Sequence, residues 1–190
     1  MQAMSELDTV FFEDAAAFEA WLEIHAETSP GLWIRMAKKN TGIPSLDWTG
    51  AVEVVLCFGW IDGQVRRVDD EWFVQRVTPR RSRSIWSKIN RLKVEDLITS
   101  GRMRPAGLAE VERAKSDGRW DAAYDGMATS TVPDDLAREL QRAGLESVFA
   151  SLTAQARYAV LHGIQTARRA ETRAARIAKV IERLAAEACL

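Results

Sequence analysis

The stretch QVRRVDDEWFVQRVT, residues 64 to 78, constrains the fold more than any other part of the chain. Two runs, QVRRV and EWFVQRV, flank Asp69-Asp70, and a short acidic turn between such runs predicts a β-hairpin. LWIRMA, residues 32 to 37, alternates apolar residues at a period of two, which places successive side chains on opposite faces, and supplies a third strand. Elsewhere the apolar residues recur at helical spacing. Phe18, Trp21, Leu22 and His25 share one stripe of a helix that Ser29-Pro30-Gly31 ends. Ser45 or Thr49 is placed to cap a second helix running to Cys57, with Gly59 as its stop. Ser84 caps a third, with Ile85, Ile89 and Leu92 on one face, and Pro105 suits the first turn of a fourth. From about residue 133 every pattern is helical.

The expected fold is therefore α+β: a small three-stranded antiparallel sheet covered by helices, followed by an all-helical C-terminal segment. Residues 1–125 make the α+β domain and 130–190 the helical domain, with 115–133 as the linker between them. A chain of 190 residues buries roughly 70% of its unfolded surface, so neither disulfides nor a metal staple is required. The two cysteines, Cys57 and Cys189, lie far apart and are expected as free thiols in a reducing compartment. Cys57 has neither His25 nor His162 near it in sequence, which predicts a buried, inert thiol. Two His and two Cys at these spacings form no metal-ligand set. The chain also lacks a Walker loop, GxGxxG, GxSxG and HExxH, so no metal or other cofactor is expected.

The formal net charge of -1 conceals segregation. The first 30 residues hold seven acids and no Lys or Arg, residues 66 to 93 hold nine bases against three acids, and residues 157 to 183 hold seven against two. Such segregation favours an anionic ligand, or pairing between acidic and basic parts of the same chain. An acidic start is the reverse of a secretory signal, and no apolar run approaches the roughly 20 residues of a membrane span. The sequence reads as cytoplasmic, without a membrane span. Near-neutral charge and the lack of a recognised nucleic-acid motif argue against nucleic acid as the partner.

Chemistry-bearing residues gather around the hairpin. Trp60 and Asp62 precede its entrance, and Arg80 and Arg81 follow its exit. Trp86 and Asn90, four apart, share a helix face just beyond. A hairpin brings its two ends together, so these six residues are candidates for one cleft binding a small anionic or aromatic ligand. If the cleft is catalytic, Asp62 is its acid or base. In the alternative, Asp62 pairs with Arg80 or Arg81 and the tryptophans are core. Farther on, Arg173 falls on the apolar stripe of the last helix, formed by Ile177, Val180, Ile181 and Leu184. It should meet a carboxylate, from the acidic first helix for example, or a bound anion. Arg169, Arg176 and Arg183 line an edge of that stripe suited to an acidic protein partner.

LCFGWIDG, TPRRSRSIWSKIN, GRMRPAGLAEVERAKSDGRW and ARRAETRAARIAKVIERLA, in this order, resemble the bacterial YdeI/OmpD-associated, or bacteriocin-protection, family. The likeness extends from Trp21 to Leu184, and the part from Val132-Pro133 onward is similar to the helical tail of small YdeI-type stress proteins. The resemblance implies a part in stress or toxin protection and in porin association, and brings no established reaction with it.

Overall fold

A computed structural model describes residues 7 to 188. The elements, in order, are β1 (Thr9–Phe11), α1 (Ala15–His25), β2 (Leu32–Ala37), α2 (Trp48–Cys57), β3 (Trp60–Arg67), β4 (Trp72–Pro79), α3 (Lys88–Thr99), α4 (Pro105–Ser116), α5 (Asp134–Ala143), α6 (Glu146–Ser151), α7 (Ala154–Gln165) and α8 (Ala170–Ala188). The chain divides into two compact units, one comprising residues up to 84 with 90–121, the other 85–89 with 122 onward.

The first unit holds a mixed sheet in the order β1-β2-β4-β3. β2, β4 and β3 are antiparallel neighbours, as expected of the three strands, and β1 adds a fourth strand parallel to β2. The expected three-stranded sheet is thus one strand short. Three residues are too few to display a period, which hid β1 within the acidic N-terminal segment. Its pairing starts early: the Trp33 N–H donates to the Asp8 carbonyl at 2.8 Å.

The register sorts the strand residues into two faces. Leu32, Ile34 and Met36 point inward with their partners Val77, Gln75 and Phe73, and Phe18, Leu22, Val52, Val55 and Leu56 from α1 and α2 complete the buried set. The alternate residues, Trp33, Arg35, Trp72, Val74 and Arg76, point to the other face.

Carboxylates cap both covering helices. The Asp14 side chain accepts from the Ala17 N–H at 2.8 Å, and Asp47 accepts from the Gly50 N–H at 2.7 Å. Asp47 takes the capping position expected of Ser45 or Thr49, because the Ser45 hydroxyl is committed to the Ala37 N–H at 3.0 Å. α4 lies close against the end of α2. A Cβ at Gly107 would stand 2.2 Å from the Cys57 carbonyl oxygen, so only glycine permits this approach. The neighbouring Arg104 N–H donates to that same carbonyl at 3.1 Å.

Two local expectations are corrected. Ser84 does not cap α3. Its hydroxyl accepts from the Arg81 N–H, and its own N–H donates to the Arg81 carbonyl, both at 2.9 Å, closing a separate turn. α3 consequently starts later and buries Val94 and Leu97, leaving Ile89 and Leu92 exposed. Nor is the whole of 115–133 a loose connection. Arg119 and Trp120 are buried, Arg119 pairing with Asp117 at 2.7 Å and donating to the Ser84 carbonyl at 2.9 Å. An apolar body on a mostly polar stretch hid this anchoring from a reading of composition.

The second unit's helices share a core that includes Leu136, Leu140, Phe149, Leu161, Ile164 and Leu184. Arg173 does find a carboxylate, that of Asp135 on α5. Nε and Nη2 donate to its two oxygens at 2.6 and 2.8 Å, and Nη1 donates to the Ile164 carbonyl at 3.0 Å. The acidic first helix satisfies a different cation: Arg104 pairs with Glu19 at 3.1 Å and with Glu23 at 2.5 Å.

Candidate functional site

A β-bulge shapes the free edge of the sheet. Asp62 pairs with Val77 and Val65 with Gln75, so Gly63 and Gln64 together oppose Arg76 alone. A bulge leaves part of the ladder unmatched, and here the Gly63 carbonyl is satisfied from inside. Gln75, buried on the inward face, donates its side-chain amide to that oxygen at 3.0 Å. This explains a polar residue in the core and fixes the edge in its bent form.

Beside the bulge lies a groove of about 230 Å³ whose charged lining residues are Asp62, Arg76 and Arg81, with Gly63, Thr78 and Ser84 among its walls. β3 supplies the carboxylate, β4 supplies Arg76, and the turn closed by Ser84 presents Arg81. Among the described residues, neither Asp62 nor Arg81 takes part in an ion pair. Burial pushes the Asp62 carboxyl above the usual aspartate value, against the opposing pull of hydrogen bonds from its own backbone and the Trp48 side chain and of the Arg80 charge. The outcome is a carboxyl that keeps its proton to higher pH than a free one, facing a groove with two guanidinium groups. Such a set can hold an anionic group on the arginines while Asp62 accepts from, or donates to, a second polar atom.

Of the six residues expected around the hairpin, the groove gathers Asp62 and Arg81. Trp60 lies beneath it in the core, 2% exposed, with its ring edge-on to Trp21 at 6.4 Å between centroids. Arg80 is buried, its N–H donating to the Gly59 carbonyl at 3.1 Å. Asn90 is half-buried in α3. Trp86 belongs to the second unit, is 1% exposed there, and accepts from the Tyr124 N–H at 3.0 Å through its carbonyl. The aromatic beside Asp62 is instead Trp48, 46% exposed. Its position next to the capping Asp47, at the first turn of α2, was the sequence signal for an outward ring.

Cys57 is buried, and burial raises its thiol above the ordinary value, so it is poorly suited to act as a nucleophile. Cys189 lies outside the described residues. Among the described residues no cluster of three His, Cys, Asp or Glu is placed to hold a metal ion, and no helix is long and apolar enough to cross a membrane.

The second unit has two larger grooves. One of about 550 Å³ runs along α5 and α8 and includes the paired Asp135 and Arg173. The other, of about 360 Å³, lies along α7 and α8, with Arg176, Lys179 and Arg183 over an apolar floor that includes Val160 and Ile164.

These features define a two-unit α+β protein: a mixed sheet with a charged groove at its bulged edge, and a separate helical unit. The chain belongs to the family described as a domain of unknown function, DUF8412, whose model matches residues 10–110. Its residues 129–187 match the model described as Bacteriocin-protection, YdeI or OmpD-Associated. The resemblance noted from the sequence thus holds for the helical tail, whereas LCFGWIDG and most of the sheet unit fall in the first family. No curated protein and no solved structure matches the chain.

Proposed function

We propose that this protein acts in stress or toxin protection in the cytoplasm, by binding a small ligand with an anionic group in the groove at the bulged edge of β3. The observation that carries this reading is the placement of Asp62, Arg76 and Arg81 on one groove, with Asp62 and Arg81 outside any ion pair among the described residues. The anion sits on the arginines, and Asp62 selects for a neighbouring hydroxyl or amine. At about 230 Å³ the groove is below the usual 300–1,000 Å³ range of ligand pockets, which limits the occupant to a small metabolite. The tail's match to a bacteriocin-protection model supports the protective role.

The test is a thermal-shift screen with inorganic phosphate, citrate, benzoate and α-amino acids. At least one of these should raise the melting temperature of the wild type. Arg81→Ala should weaken its binding roughly 10-fold or more, the scale of one charge-assisted hydrogen bond, without altering the melting temperature of the free protein. A screen in which no small anion stabilises the protein would overturn the reading.

The raised carboxyl of Asp62 favours a second reading, in which the groove is an active site and Asp62 transfers a proton. It requires that Asp62→Asn abolish turnover of a ligand while leaving its binding largely intact.

A further inference from the structure

The outward face of the sheet carries a pattern that whole-chain charge conceals. Its strand positions include Phe11, Trp33 and Trp72 as aromatics and Arg35, Arg66 and Arg76 as cations, with no acid on any of the four strands facing that way. The pairs are interleaved. The Arg35 guanidinium lies over the Trp72 ring at 4.3 Å. The Arg66 guanidinium reaches from β3 across the Val74 position to lie over Trp33, also at 4.3 Å. Phe11 meets Trp72 edge-on at 5.9 Å. Arg35, Arg66 and Phe11 remain exposed. Asp69, at the hairpin end of this face, is occupied: its side chain accepts from the Glu71 and Trp72 N–H groups, both at 2.8 Å.

We infer that this face is a docking surface for single-stranded nucleic acid. A guanidinium held over an indole at this distance is fixed in place by the ring. Its second face is left for a stacking base, and its N–H edges are left for phosphate oxygens. Neighbouring strands are about 4.8 Å apart, so such platforms repeat at a spacing that a splayed chain of bases can follow. The face is built from strand residues, and stacking platforms of this kind suit the open bases of a single strand. An acidic peptide would satisfy the three charges but offers no rings to stack. The first-unit sequence gathers these residues on one side because the arginines and tryptophans alternate with apolar core residues at strand period.

The test uses the full chain and fluorescein-labelled U12 and dT12 at about 50 mM salt, with a 12-base-pair duplex and poly-glutamate as competitors. Both single strands should bind saturably. Three phosphate contacts should give a slope of log affinity against log salt of about -2, at roughly 0.7 per contact for single strands. Arg66→Ala and Arg35→Ala should each weaken binding about 10-fold or more, and Arg66→Lys should retain the salt slope yet lose affinity, because ammonium keeps the charge without the stacking plane. Arg142→Ala, on α5, should bind as wild type. Circular dichroism should show all variants folded. The inference fails if neither oligonucleotide saturates the protein, if Arg66→Lys binds as tightly as wild type, or if poly-glutamate or duplex competes as well as U12. Arg76 belongs to both surfaces, but neither Arg35 nor Arg66 lines the groove at the bulge, so their variants test this face alone, and failure here leaves the small-ligand reading standing, and the reverse.

Discussion

At the scale of single residues, geometry decides which arginines matter for stability. Arg173 and Asp135 make a two-pronged ion pair, yet their side chains are 28% and 34% exposed, and water therefore screens the pair. Its hydrogen bonds draw the Asp135 carboxyl below the ordinary value. Arg173→Ala should reduce stability by about 1–2 kcal/mol, between an exposed pair and a charged hydrogen bond. Arg176→Ala should lose about 0.5 kcal/mol, although Arg176 donates to the Gly163 carbonyl. Denaturant midpoints of the two variants check this; equal shifts would contradict the assignment. The inward direction of Arg173 was legible from the heptad-like spacing of Ile177, Ile181 and Leu184. Its partner was not, because spacing on one helix says nothing about which neighbour packs on it. The same limit applies at the groove. The hairpin ends predicted that Asp62 and Arg81 would approach, and they do share a lining. Trp60 is buried on β3, where it pairs with Pro79, whereas Trp48 stands at the first turn of α2, just after the Asp47 cap that takes the place expected of Ser45 or Thr49.

At the scale of elements, two contacts fix the sheet unit's geometry. Gly107 lets α4 approach the last turn of α2, and a methyl group there would overlap the Cys57 carbonyl. Gly107→Ala should destabilise by about 3 kcal/mol, the upper range for overpacking a closed contact. A variant as stable as wild type in guanidinium would show that α4 can slide. Gln75 supports the bulge through the Gly63 carbonyl. Gln75→Leu keeps the volume but leaves that oxygen without its donor, a loss of about 1–3 kcal/mol. It should also loosen ligand binding at the groove, whereas Gly107→Ala should not. Long periodic elements were readable because many residues vote for one period: LWIRMA and the C-terminal helices stand where alternation or helical spacing put them, and the hairpin turns at Asp69-Asp70 as expected, although its first strand starts at Trp60 and so takes in Trp60 and Asp62. β1 was not, because it has three residues and is recruited by its pairing with β2. The exposed Ile89 and Leu92 also show how one apolar stripe can mislead when the helix starts a turn later than its first serine.

At the scale of the whole molecule, the two units carry titrating groups that respond to pH in opposite directions. In the sheet unit, burial raises the Asp62 carboxyl above its ordinary value of 3.8. The folded state then binds more protons than the unfolded state as pH rises from 3.8. The contribution of Asp62 is fully present below that value and is lost as pH climbs through the raised one. In the helical unit, burial, with the Arg176 charge as a lesser cause, lowers His162 below its ordinary 6.5. There the unfolded state binds the extra proton first, so stability present above pH 6.5 is lost as pH falls through the folded value. Tyr124 at 4.6 Å and Tyr158 at 5.8 Å pack their rings against this imidazole. Asp62→Asn should therefore raise the melting temperature relative to wild type at pH 7 and lose that advantage near pH 3.5. His162→Gln should do the reverse in form: whatever its offset at pH 8, it should gain on wild type as pH is lowered from 6.5 toward 5. Melting curves of the three proteins across pH 3.5–8 read both effects. Parallel curves for Asp62→Asn and wild type would mean that its carboxyl ionises as freely folded as unfolded, and would remove the proton-transfer reading of the groove along with it.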